Sequence, residues 1–186
     1  MAFSPGTTQY LLNQVALSNS IRRLWVDNNQ WTGSLIYSIL YNQGDQEALI
    51  ARLRQNADDF ATIFSTFYNQ QATDQLRQLI NNDLDRTIRL AKAYKANDAQ
   101  AINSAREALY ANANDIANYL SRINRYWDMP TLQAMLNEVI NLTEYEIMLT
   151  RDGQFADRIK QHDELMNQVY KLSDELTYGI LKQFQV

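Results

Sequence analysis

The 186-residue chain has no cysteine, one histidine, two prolines and five glycines. Without Cys it can form no disulfide, no thiolate nucleophile and no thiolate metal site. A lone His among scattered Ser gives no spacing from which a Ser-His-Asp or Cys-His arrangement can be argued. No Gly-rich strand-to-helix loop is present to cradle a phosphate, so phosphoryl transfer has no mount. No apolar run approaches the roughly 20 residues needed to cross a bilayer, and no membrane partner is expected. A net charge of −4 speaks against a grip on nucleic acid, which draws on clustered Lys and Arg. The opening stretch MAFSPGTTQYLLNQ lacks a basic start followed by an apolar stretch and a small-residue cleavage site, so a cytoplasmic protein is expected.

What is present is 46% hydrophobic and 20% charged residues, the balance of a single globular domain over residues 1–186 that buries roughly 70% of its unfolded surface. Apolar residues recur at helical spacing almost throughout, and no alternating β-branched run appears, which predicts an all-α fold. A first helix is expected from about Thr8 to Tyr41, stopped by Gly44, with Asp45 capping the second, which runs to about Tyr68. The third starts near Gln71 and fades at KAND, where Asn97 stops it and Asp98 caps the fourth, which reaches about Asn124. Pro130 belongs in the first turn of a fifth helix, with Asp128 or Met129 ahead of it. That helix stops at RDG, and a sixth runs from Phe155 to Phe184. Links this short make successive helices antiparallel, so the expected architecture is an up-and-down bundle of about six helices.

The bundle carries an internal helical-hairpin repeat. In QNADDFATIFSTFY (55–68) and ANANDIANYLSRIN (111–124), Asn56, Ala57, Asp59, Ala61 and Ser65 recur 56 residues later as Asn112, Ala113, Asp115, Ala117 and Ser121. Leu76 and Leu132, Ile80 and Leu136, and Thr87 and Thr143 continue the match. Helices two and three thus correspond to helices four and five, either because equivalent positions meet one core or because a pseudo-symmetric site lies between them.

Polar residues interrupt the inward apolar rows at one depth. The row Leu17, Ile21, Leu24, Asn28, Trp31, Leu35 is broken by Asn28, with Thr32 one turn on. In the third helix Asp83 breaks Leu76, Ile80, Thr87, Leu90, Tyr94, again with a Thr one turn later. The fifth repeats the layout as Leu132, Leu136, Val139, Thr143. In the sixth, Phe155, Ile159, His162, Met166, Val169, Ser173, Leu176 and Ile180 form one face, which carries His162. An unpaired buried carboxylate is costly, so Asp83 needs donors, a water-filled gap or a proton, and His162 is the expected partner. The cluster Asn28, Thr32, Asp83, Thr87, Thr143 and His162 reads as a satisfied core pair, as a small polar pocket or as a metal centre. The Glu-x-x-His motif of metal-binding bundles is absent, since Ile159 stands three residues before His162. Asn56 and Asn112 lie on apolar rows and are expected to bond across helices. Trp25, Trp31 and Trp127 read as core or interface filler.

Through LWVDNNQWTGSLIYSI, RLRQNADDF, FSTFY, NANDIANYLSRIN, LTEYE and DELTYGILKQF, in that order over nearly the whole length, the chain resembles a family of small helical proteins common in Firmicutes. The resemblance implies a ferritin-like metal site in relatives, which carry His at the positions of Asn28, Asp83 and Val139 and retain Thr32 and Thr143. Asp163 or Asp174 would be oxygen ligands from the sixth helix. Here all three His are replaced; Val cannot ligate and Asn is a feeble donor to transition metals. The expectation is therefore a non-enzymatic binding or interaction protein with a degenerate internal polar site, with no catalytic residue, cofactor or metal ligand assigned. Its partner would be a small ligand or a protein, a second copy of the chain included. The alternative is a metal-binding ferritin-like bundle acting as a carrier or oxidoreductase.

Overall fold

The computed structural model describes residues 5–185, with side chains from residue 9 onward; the first four residues of the stretch read for a leader lie outside them. Six helices follow in chain order: α1 (Pro5–Tyr41), α2 (Gln46–Phe64), α3 (Gln70–Ala96), α4 (Ala99–Ile123), α5 (Met129–Arg151) and α6 (Phe155–Phe184). Their ends follow from local chemistry. The carboxylates of Asp98 and Asp128 accept from the backbone N–H of Ala101 and Thr131, and the Asn69 side chain accepts from Ala72, each relieving an orphan donor of a first turn. Pro130 sits in the first turn of α5. Asn97 closes α3 in the left-handed conformation at φ 53°, and Gly153 takes φ 70° in the α5–α6 link.

Helix α1 ends at Tyr41 as expected but begins at Pro5, earlier than the expected Thr8; the residue that stops it, the cap of α2 and the end of α2 depart from expectation. Asn42, at φ 56°, ends α1 before Gly44 is reached, because Asn tolerates that conformation and the Gln43 N–H can then bond Ser38 O at 2.9 Å. Asp45 makes no cap bond to α2; its carboxylate accepts from the Ser38 hydroxyl instead. Helix α2 also stops at Phe64, since Phe67 N and Tyr68 N both turn back to Phe64 O.

Each helix packs on the next, α6 closes on α1, and α1, α3 and α5 also touch one another. The odd-numbered helices, parallel by alternation, therefore meet around the axis. Trp127, from the α4–α5 link, plugs one end against Phe64 and Tyr68, with ring centroids 6.1 and 6.0 Å away, and donates its indole N–H to Glu175 O at 3.2 Å.

Buried amides fix the register of neighbouring helices. Asn56 donates to Leu24 O at 3.0 Å, Asn112 to Leu79 O at 3.2 Å and Gln168 to Met135 O at 3.2 Å. Asn56 also accepts from the Asn28 amide at 2.9 Å. Removing a fully buried amide with two such bonds leaves both partners short, so Asn56→Ala should cost about 2 kcal/mol. Urea denaturation checks this, and the loss at Gln168→Ala, whose amide is only partly buried, should be smaller.

The inward row of α6 differs from the expected one. Phe155 and Ile159 are exposed, at 46% and 58%, and the buried row runs Gln161, Leu165, Val169, Leu172, Leu176, Ile180. His162 lies beside that row, at the seam with α5. It also cannot meet Asp83, because α6 lies across the bundle from α3 and the two helices make no contact.

Candidate internal binding site

Where α1, α3 and α5 meet, the bundle encloses a cavity of about 70 Å³. A water takes roughly 30 Å³ in the liquid, so the space suits a small water cluster or a ligand of a few heavy atoms. Five of the six residues in the sequence-derived cluster line it: Asn28, Thr32, Asp83, Thr87 and Thr143; Val139 lines it as well. His162 does not. The register explains the gathering. Asn28, Asp83 and Val139 each precede a Thr by four residues, one helical turn along the same face, so parallel helices present two matched layers. Trp25, Ile80 and Leu136 cover one side of these layers, while Leu53, Phe60, Leu109 and Ile116 of α2 and α4 supply apolar wall. Trp25 meets Phe60 edge-on with ring centroids 5.2 Å apart.

The polar groups at the cavity have unused bonding capacity. Among the described residues, the hydroxyls of Thr32, Thr87 and Thr143 have no hydrogen-bond partner. Those of Thr150 and Thr177, elsewhere in the bundle, do bond back to carbonyls one turn earlier. Asp83 is the one charged residue of the lining. Burial pushes its carboxyl up from 3.8 to about 6, with the Asn112 amide and the positive charge of Arg86 pulling only partly the other way.

Two buried carboxylates of α5 show what a satisfied one looks like here. Glu144 receives Arg106 Nη2 at 2.6 Å and Nε at 2.9 Å, together with the Tyr94 hydroxyl. Burial alone would raise its pKa, but these donors and the Arg106 charge outweigh it and hold the carboxyl below its ordinary value. Glu146, 1% exposed, receives Arg158 Nη1 at 2.8 Å and faces His162 Nδ1 at 3.4 Å. The bond to Glu146 raises the His162 pKa against the opposing effect of desolvation. His162 was expected to partner Asp83; Glu146 takes the imidazole instead, and Asp83 has no ion pair among the described residues. The signal for Glu146 was available in the sequence, since it continues the α5 row three residues beyond Thr143, opposite Arg158 and His162 spaced by four.

The groups at the cavity that could ligate are a single carboxylate, three hydroxyls and the amides of Asn28 and Asn29, beside the unpartnered indole N–H of Trp25. Among the described residues no three His, Cys, Asp or Glu side chains gather, and this set does not fit a transition metal. A larger open groove of about 550 Å³ runs along α3 and α4 past Asn69, Gln75, Asp115, Asn118 and Arg122, but its Tyr119 hydroxyl is already bonded to Ala72 O. Gln75, Asp115 and Arg122 of that groove are exposed and are served by solvent, whereas the unpartnered groups of the inner cavity converge between three helices. No family model, curated protein or solved structure matches the chain, so the site rests on its own geometry.

Proposed function

We propose that the protein is a non-enzymatic binding protein that takes a small molecule into the cavity between α1, α3 and α5. The observation that carries this reading is the convergence of Asp83, Thr32, Thr87 and Thr143, with one carboxylate lacking a counter-charge and three hydroxyls lacking partners, on a space larger than a single water. Buried polar groups are ordinarily satisfied, and a mostly apolar pocket with a few convergent polar groups is the usual form of a small-ligand site. Among the described residues no hydrogen bond joins a threonine hydroxyl to the Asp83 carboxylate, the link that activates a nucleophile, so binding is the activity this reading supports.

The test is a small-fragment screen followed by backbone amide NMR shifts in the wild type and in Val139→Phe, which fills the cavity from its apolar side. Fragments should move the amides around Thr32, Thr87 and Thr143, and the movement should vanish in the filled variant. Shifts that map to another surface, or that persist unchanged in Val139→Phe, overturn the reading.

A further inference from the structure

We infer that the cavity selects a small organic monocation bearing a primary ammonium group, with Asp83 as its counter-charge and the hydroxyls of Thr32, Thr87 and Thr143 as its hydrogen-bond acceptors; this rests on the cavity being a binding site. Charge balance comes first. Among the described residues Asp83 is the only charged group of the lining, and one positive charge neutralises it. An anion would face that carboxylate with no cation to receive it. A divalent ion would want several negative oxygens and a fuller shell than one Asp supplies. A neutral ligand would leave the buried charge uncompensated.

The pattern of acceptors narrows the class further. A threonine hydroxyl can turn its proton to a helix carbonyl and still offer lone pairs, whereas a primary ammonium has three donors and no acceptor. Thr32, Thr87 and Thr143 stand on three parallel helices at equivalent positions, one turn from Asn28, Asp83 and Val139. Three acceptors around an axis match three N–H bonds better than they match a planar or single-donor group. The apolar wall of Ile80, Leu136, Val139, Ile140 and Phe60 suits a short alkyl tail, and about 70 Å³ keeps that tail to a few carbons. Binding should depend on pH through Asp83. The charged side chain acting on it is Arg86 of its own helix; the groups offered by α1, α4 and α5, namely Asn28, Asn112 and Thr143, do not titrate.

Isothermal titration calorimetry of the full-length protein with n-propylammonium chloride, 1-propanol, sodium propionate and potassium chloride tests the inference. At pH 7.5 the ammonium should bind at least about tenfold more tightly than 1-propanol. Affinity should fall about tenfold at pH 5, where Asp83, titrating near 6, is mostly protonated. Asp83→Asn should abolish the preference while melting cooperatively, and the near-isosteric Thr87→Val should weaken ammonium binding severalfold without changing its pH dependence. Equal binding of 1-propanol and the ammonium, an unchanged ammonium affinity in Asp83→Asn, or potassium binding as tight as the ammonium would each overturn the ammonium assignment and leave the cavity as a binding site. Failure of all four probes, together with no fragment shifts at Thr32, Thr87 and Thr143, would remove both.

Discussion

Gly179→Ala should destabilise the fold by about 3 kcal/mol, because among the described glycines only this one has no room for a methyl group. A Cβ at residue 179 would lie 1.9 Å from Trp127 Nε1, 2.3 Å from Cδ1 and 2.6 Å from Cε2, far inside van der Waals contact. The indole is not a flexible tip that can swing aside. It is 2% exposed, tied by its N–H to Glu175 O on the same helix as Gly179, and flanked by Phe64 and Tyr68. Accommodating the methyl means displacing Trp127, and losing a buried Trp costs about 3–5 kcal/mol. The intrinsic preference of Ala over Gly in a helix returns only about 1 kcal/mol. Urea denaturation measures the net loss. The same experiment on Trp127→Ala and on the double variant tests the cause: with the indole gone the added methyl meets space, so the double variant should be no less stable than Trp127→Ala alone, a coupling of about 3 kcal/mol. A wild-type midpoint for Gly179→Ala would mean that the indole does not sit on this helix.

Much of this molecule was legible because its sequence states helical boundaries and depth plainly. The Asn97–Asp98 junction and the Asp128–Pro130 start of α5 were readable from capping chemistry alone, since each depends on residues within one turn. The end of α1 at Tyr41 was readable too, but its stop residue was not, because Asn42 and Gly44 both favour a left-handed residue and only the Ser38 contacts decide between them. The cavity was readable as a layer: Asn28, Thr32, Asp83, Thr87 and Thr143 could be placed at one depth from periodicity. His162 could not, since periodicity says how deep a residue lies on its own helix and nothing about which helix it faces. The ring order places α5 and α1 beside α6, with α3 opposite, so the nearest buried carboxylate was Glu146 and not Asp83. The 56-residue spacing was likewise only partly visible. Gln168 stands 56 residues past Asn112 and makes the same kind of amide-to-carbonyl bond, but the change from Asn to Gln conceals it. The three bonds sit within α1–α2, α3–α4 and α5–α6, a grouping of hairpins different from the one the sequence match suggested.

Asp83→Asn should raise stability by up to roughly 3 kcal/mol at pH 7.5, an unusual sign for a change at a polar site between helices. Burial, the dominant cause, lifts the Asp83 carboxyl from 3.8 to about 6 in the folded protein. A carboxyl raised on folding binds its proton more tightly in the native state, so it works against folding wherever both states are ionised. That cost is fully present above about 6, fades as pH falls through 6, and is gone below 3.8; the interval corresponds to roughly 3 kcal/mol. Asn has nearly the same volume and carries no charge to desolvate, so it escapes the cost. Chemical denaturation of both proteins across pH should show a difference that is flat above neutrality and shrinks toward zero between about pH 6 and 4. Other titrations cancel in that difference. His162, raised by Glu146, contributes stability that is full below its ordinary 6.5 and lost as pH rises through its folded value. Glu144, held low by Arg106 and Tyr94, contributes stability that is lost as pH falls; both behave alike in the two proteins. A destabilised Asp83→Asn would mean the carboxylate already has a partner of full strength, and a gain that persists at pH 4 would mean that the gain does not come from its charge. The expected result means instead that the fold carries, at its centre, a charge it would be more stable without. A cation entering the cavity removes that penalty, which makes the same residue the most costly in the empty bundle and the strongest contact in the filled one.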